Sequence, residues 1–76
     1  MSKLPIVNAK QLEKLLLQLG FEIHRQKGSH RFYKHPDGRY TTIPHHSGED
    51  LSRPLTKTIL NQIDLSTEDF IKLLHN

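Results

Sequence analysis

Lys27-Gly28-Ser29-His30-Arg31-Phe32-Tyr33-Lys34-His35-Pro36-Asp37-Gly38 reads as one β-strand held between two turns. At its far end, Pro36 has the fixed φ that suits the second position of a tight turn. Gly38 supplies the positive φ that most other residues resist. Residues 30–35 and 39–44 therefore pair as an antiparallel hairpin. Gly28-Ser29 makes the earlier connection, to a strand over 21–27 in which Phe21 and Ile23 alternate with Glu22 and His24. His30 then opens the central strand, and Pro44, which has no N–H to donate, ends the third. Strict alternation puts His30 and Phe32 on one face. A buried Phe32 and a solvent-facing His30 conflict, so either the strand is distorted near Gly28 or one of these assignments is wrong.

Outward from the strands the period changes from 2 to 3.6 residues. Asn8 and Gln11 form a capping-box pair, Val7 and Leu12 stand at staple spacing, and Leu12, Leu15, Leu16 and Leu19 make one apolar stripe that stops at Gly20. The first helix is predicted over 9–19. Ser52 caps a second, with Pro54 in its first turn and Leu55, Ile59, Leu60 and Ile63 on its buried side. Ser66 caps a third, short helix with Glu68 and Asp69 in its first turn and Phe70, Leu73 and Leu74 inward. The fold class is α+β in the order α-β-β-β-α-α. It implies a three-stranded antiparallel sheet with helices on one face and the other face free for a ligand.

At 76 residues, 1–76 reads as one domain, near the size at which a single hydrophobic core gives only marginal stability. With no cysteine, disulfides and thiolate metal sites are excluded. His45 and His46 are adjacent and point apart on an extended chain, so no metal and no cofactor are expected. No apolar run approaches the roughly 20 residues of a membrane span, and a cytoplasmic location is expected.

The charge is uneven. Residues 23–48 hold Arg25, Lys27, Arg31, Lys34 and Arg39 against the single acid Asp37, with five of the six histidines, while the remainder carries six Lys/Arg against seven Asp/Glu. A net +3 concentrated in one third of the chain is the footprint of a polyanion binder. Lys27, Gly28, Ser29, Arg31, Lys34 and Arg39 are the candidate phosphate contacts, and His45 and His46 add to that surface at the end of the third strand. Gly28-Ser29-His30 has two readings. It can be a tight turn before a strand that happens to begin with histidine. It can also be a phosphate cradle in which the side chain that titrates near neutrality moves a proton. Phe32, Tyr33 and Tyr40 either stack on bases or pack across strands.

Gln26-Lys27-Gly28-Ser29-His30, the hairpin 34–39, Ile43-Pro44-His45-His46, Ile59-Leu60-Asn61-Gln62 and Leu65-Ser66-Thr67-Glu68-Asp69-Phe70 together resemble the HicA family of toxin ribonucleases, over about residues 12–74. The resemblance implies a fold like a double-stranded-RNA-binding domain, cleavage of messenger RNA, and silencing by a HicB-type antitoxin. It places the catalytic histidine on His30. Many members carry a second histidine directly after the first, where this chain has Arg31. Two other classes fit the same basic stripe: an RNA-binding module that does not cut, and an interaction protein that docks an acidic partner.

Overall fold

The computed structural model describes residues 3–75; Met1, Ser2 and Asn76, the ends of the span 1–76, lie outside the described residues. The elements are α1 (Ala9–Gln18), β1 (Glu22–Lys27), β2 (His30–Lys34), β3 (Tyr40–Pro44), α2 (Arg53–Gln62) and α3 (Thr67–Leu74). The strands form one antiparallel sheet in the order β1-β2-β3. The α+β architecture read from the sequence is the one observed.

Each helix begins where a side chain can satisfy its first free N–H groups. Asn8 accepts the Gln11 N–H at 2.8 Å while the Gln11 side chain accepts the Asn8 N–H at 2.9 Å, a complete capping box. Ser52 and Ser66 accept the Leu55 and Asp69 N–H groups in the same way. At the end of α1, Gly20 takes φ +97°, and a Cβ there would come within 3.1 Å of His35 Nε2, whose N–H donates to the Leu19 carbonyl. Glycine is required twice over at that position.

Leu12, Leu15 and Leu16 of α1, Ile59 and Leu60 of α2 and Phe70 of α3 meet Tyr33 and Ile43 from the sheet in one buried cluster. Val7 and Leu51 join it because the segments before α1 and α2 run together, with the Leu51 N–H donating to the Val7 carbonyl at 2.8 Å. Full burial of each such side chain favours the folded state by about 1.5–3 kcal/mol. The helices pack over β2 and β3 more than over β1, whose residues are all exposed, Ile23 at 48%. The alternation seen in 21–24 therefore seats only Phe21 in the core. No helix among the described residues is long and apolar enough to cross a membrane.

Tyr33, and not Phe32, is the inward aromatic of β2, with none of its surface exposed. Tyr33 opposes Ile23 and Thr41, and Thr41 is itself buried. By alternation His30, Phe32 and Lys34 share the outer face, which removes the conflict left open by the sequence: both His30 and Phe32 point away from the core.

Candidate functional site

The turn before His30 is built from the backbone outward. Gly28 has φ +58°, the Gln26 amide donates to the Gly28 carbonyl at 3.1 Å, and the His45 N–H donates to the Ser29 carbonyl at 2.6 Å. The last bond brings the Gly28-Ser29-His30 turn against the end of β3, although Ser29 and His45 stand 16 residues apart in the chain. His30 opposes Lys27 on one side and Pro44 on the other, and it is exposed. It lines a shallow groove of about 280 Å³ with Tyr40, Thr42 and Pro44 of the outer sheet face. The far wall comes from α2, where Leu55, Thr58, Ile59 and Gln62 run alongside β3.

Beneath the sheet lies a second cluster that sequence reasoning did not find. Glu13 Oε1 accepts from Arg31 Nη1 and from the Tyr33 hydroxyl, each at 2.7 Å, and His45 Nε2 stands 2.8 Å from the Tyr33 oxygen. One phenolic proton cannot serve both neighbours. Since the carboxylate takes it, His45 must carry its proton on Nε2 and donate to the phenol, leaving Nδ1 as the open ring nitrogen. Burial would raise the Glu13 carboxyl, but the bonds from Arg31 and Tyr33 and the Arg31 and His45 charges leave it below the usual range. Burial and then the Glu13 bond push the Tyr33 phenol up. Burial first, and Arg31's charge second, push His45 down against the opposing pull of Glu13. Glu13 carries no local signal of this role, because its three partners are 18 to 32 residues away.

The candidate residues thus divide by face. His30, Lys27, Gly28 and Lys34 are exposed around the turn and the outer sheet face. Arg31 does not join them: it lies on the inner side, paired with Glu13 and bonded through Nε to Gln26. Arg39 is also engaged. Its Nε donates to Asp37 at 2.8 Å, its Nη1 donates to the Ile63 carbonyl, and its guanidinium covers Phe21 at 5.1 Å. The Arg39 backbone N–H and then its side chain hold the Asp37 carboxyl below its usual range. His45 and the exposed His46 border a separate depression of about 420 Å³ beside Asn8, Lys10 and Ser47, which His30 does not line. Arg25, absent from the sequence-based candidates, stacks its guanidinium 4.8 Å from the centre of the Phe32 ring.

A family model, the HicA toxin of bacterial toxin-antitoxin systems, matches residues 9–65. The chain belongs to the HicA toxin family. The matched span runs from α1 through α2 and contains every candidate residue named above, and α3 lies beyond it. Membership makes the chain the toxin side of a toxin-antitoxin pair, with an antitoxin as partner. Among curated proteins no match to the chain is found.

The group of half-buried Glu13 and His45 with buried Tyr33 gives a pH dependence with a definite sign. Glu13 and His45 both have depressed pKa values in the folded chain, so at intermediate pH the unfolded chain binds more protons and stability rises with pH. The His45 contribution is complete above the ordinary histidine range and is lost as pH falls through its folded value. That of Glu13 is complete above the ordinary carboxylate range and is lost at still lower pH. Urea melts from pH 8 to pH 3 are expected to show both declines. His45→Gln should flatten the upper one and Glu13→Gln the lower one. A melt midpoint that rises on acidification would contradict the assignment.

Proposed function

We infer that this toxin is an endoribonuclease that cuts messenger RNA, with His30 as the catalytic residue. The observation that carries the reading is the placing of an exposed imidazole beside a positive-φ Gly-Ser turn, at one end of an open sheet face. Lys27 stands opposite His30 and Lys34 lies at the other end of β2 on the same sheet face, and among the described residues neither has a carboxylate within ion-pair distance. The simplest chemistry uses the RNA's own nucleophile. His30 takes the proton of a ribose 2′-hydroxyl, the 2′-oxygen attacks the adjacent phosphorus, and the bond from phosphorus to the 5′-oxygen breaks. The leaving 5′-oxygen takes a proton from water, the proton held by His30 returns to solvent, and the other end is a 2′,3′-cyclic phosphate. In this reading the backbone N–H groups of the Gly28-Ser29 turn and the Ser29 hydroxyl hold the phosphate oxygens, on which charge grows as the bond forms. The antitoxin, in this reading a HicB-type protein, silences the toxin by covering this face.

The test is single-turnover incubation of the purified chain with single-stranded RNA and with the DNA of the same sequence, with His30→Ala beside it. Cutting of RNA alone supports the reading. DNA cleavage at an equal rate would overturn the 2′-hydroxyl route, and binding of RNA without cleavage would make the chain an RNA-binding module.

Binding should weaken steeply with salt, because cations released from phosphates drive it. Lys27→Ala and Lys34→Ala are each expected to reduce the slope of log affinity against log salt by about one. Arg31→Ala and Arg39→Ala should act differently, lowering the melting temperature, since Arg31 is paired with Glu13 on the inner side and Arg39 is tied to the Ile63 carbonyl at the end of α2. An unchanged slope in the double lysine variant would remove these residues from the interface.

A further inference from the structure

We propose that the groove beside His30 is a nucleobase subsite, which takes one unpaired base of the RNA strand, stacks it on Tyr40 and meets its edge with the Gln62 amide. The inference rests on the ribonuclease reading of His30 and adds to it the form of the substrate: single-stranded at the cut, and not duplex.

Three observations converge on the groove. First, Tyr40 is a large aromatic left 42% exposed, and it lines the groove, whereas its neighbour Phe32 does not. Phe32 is already engaged by the Arg25 guanidinium and by the Tyr40 ring itself, whose centroid is 6.1 Å away at an angle of 38°. Tyr40 is thus braced from behind and has a ring to offer. Second, the space suits one base. At about 280 Å³ it falls just under the roughly 300 Å³ at which pockets for drug-sized molecules begin. Its walls, Tyr40, Leu55 and Ile59, are apolar, as a planar ring requires.

Third, the polar groups at the wall have fixed roles. The Thr41 hydroxyl donates to Gln62 Oε1 at 2.7 Å, so the Gln62 amide nitrogen is the end of that side chain that holds two N–H donors for a ligand. The Thr58 hydroxyl donates to the Pro54 carbonyl at 3.0 Å, which leaves its oxygen as an acceptor. A base edge, with carbonyl or ring-nitrogen acceptors beside an N–H, complements that pair. Among the described residues no Asp or Glu lines the groove, and Lys34 and Arg25 lie on the same sheet face, which suits an occupant that is part of a polyanion. A duplex cannot deliver a base here, because its bases are stacked and paired, whereas a single strand can.

The experiment uses the full chain and a short RNA with 2′-O-methyl groups throughout, which binds without being cut. A second probe is the same backbone made entirely abasic, and a third is the corresponding duplex. Affinity is read by fluorescence anisotropy, and the ring protons of Tyr40 by NMR. The base-bearing strand is expected to bind roughly 5- to 150-fold more tightly than the abasic one. It should also shift the Tyr40 ring resonances, which the duplex should not. Tyr40→Phe keeps that advantage, while Tyr40→Ala brings the two strands to nearly equal affinity at an unchanged salt slope. Equal affinity of the two strands for the parent chain, or a duplex that moves the Tyr40 ring as much as the single strand does, overturns the subsite. So does a Tyr40→Ala chain that binds RNA like the parent but has lost the antitoxin, which would give the groove to the partner. Because nothing is cut in this assay, the two readings fail separately. Tyr40-dependent binding without cleavage of unmodified RNA refutes the nuclease and keeps the subsite; cleavage indifferent to Tyr40 does the reverse.

Discussion

His30→Ala is expected to slow RNA cleavage by roughly 10²–10⁴-fold, about 3–5 kcal/mol of transition-state stabilisation, while leaving the fold and most of the RNA affinity in place. The loss should be large because the 2′-hydroxyl is a poor nucleophile until its proton is taken, and His30 is the imidazole that shares the outer face with the open groove. The fold should survive, since His30 is exposed at the first position of β2 and its ladder bonds come from the backbone. Substitutions at such positions usually change stability by no more than about 0.5 kcal/mol. Affinity should persist because, in the proposed reading, Lys27 and Lys34 supply the attraction to phosphate. A single-turnover rate, a thermal melt and a binding titration on one preparation separate the three. A variant that cuts at nearly the parent rate moves the chemistry to His45 or His46, across the strand end. One that unfolds makes His30 a structural residue.

The framework of this fold was legible because its signals are local. Pro36 and Gly38, the Asn8/Gln11 capping box, and Ser52 and Ser66 each act on residues within a few positions. The structure repeats them almost residue for residue. What alternation could not settle was the hand of β2. Phe32 and Tyr33 are both aromatic, and hydrophobicity alone favours burying Phe32. Tyr33 takes the inner place because Glu13 and His45 satisfy its hydroxyl there, removing the cost of a buried unpaired polar group. The same carboxylate explains Arg31. A charge tally treats every Arg and Lys of a basic stretch alike, yet a cation on the inner face must be matched, and its match lies on α1, 18 residues away. Arg39 was hidden in the same way, since its carbonyl partner Ile63 belongs to the end of α2. Local signals therefore located the turn that presents His30. The division between cations that hold the fold and cations that face solvent was set by contacts far apart in the chain.

The largest expected effect on stability lies outside the span that defines the family. Residues 67–74 form α3, beyond the matched 9–65, and yet Phe70 has none of its surface exposed and belongs to the same buried cluster as Leu12, Tyr33 and Ile43. Ser66 caps the helix by accepting the Asp69 N–H, and the acids Glu68 and Asp69 sit in its first turn where the helix dipole favours them. This local support fixes where α3 begins, but an eight-residue helix is too short to persist in water alone, so it must be held by what Phe70 reaches. Phe70→Ala removes a ring from a closed core and is expected to cost about 3–5 kcal/mol. For a domain of this length the whole stability is only about 4–11 kcal/mol. At about 4–8 °C per kcal/mol the melting temperature should fall by roughly 12–40 °C. Lys72→Ala, exposed on the same helix, should move it by no more than a few degrees. A chain ending at residue 65 should be worse than Phe70→Ala, since it also loses Leu73 and Leu74, which pack against the cluster. If Phe70→Ala melts within a few degrees of the parent, α3 is an appendage, and the family span alone carries the core that holds His30 in place.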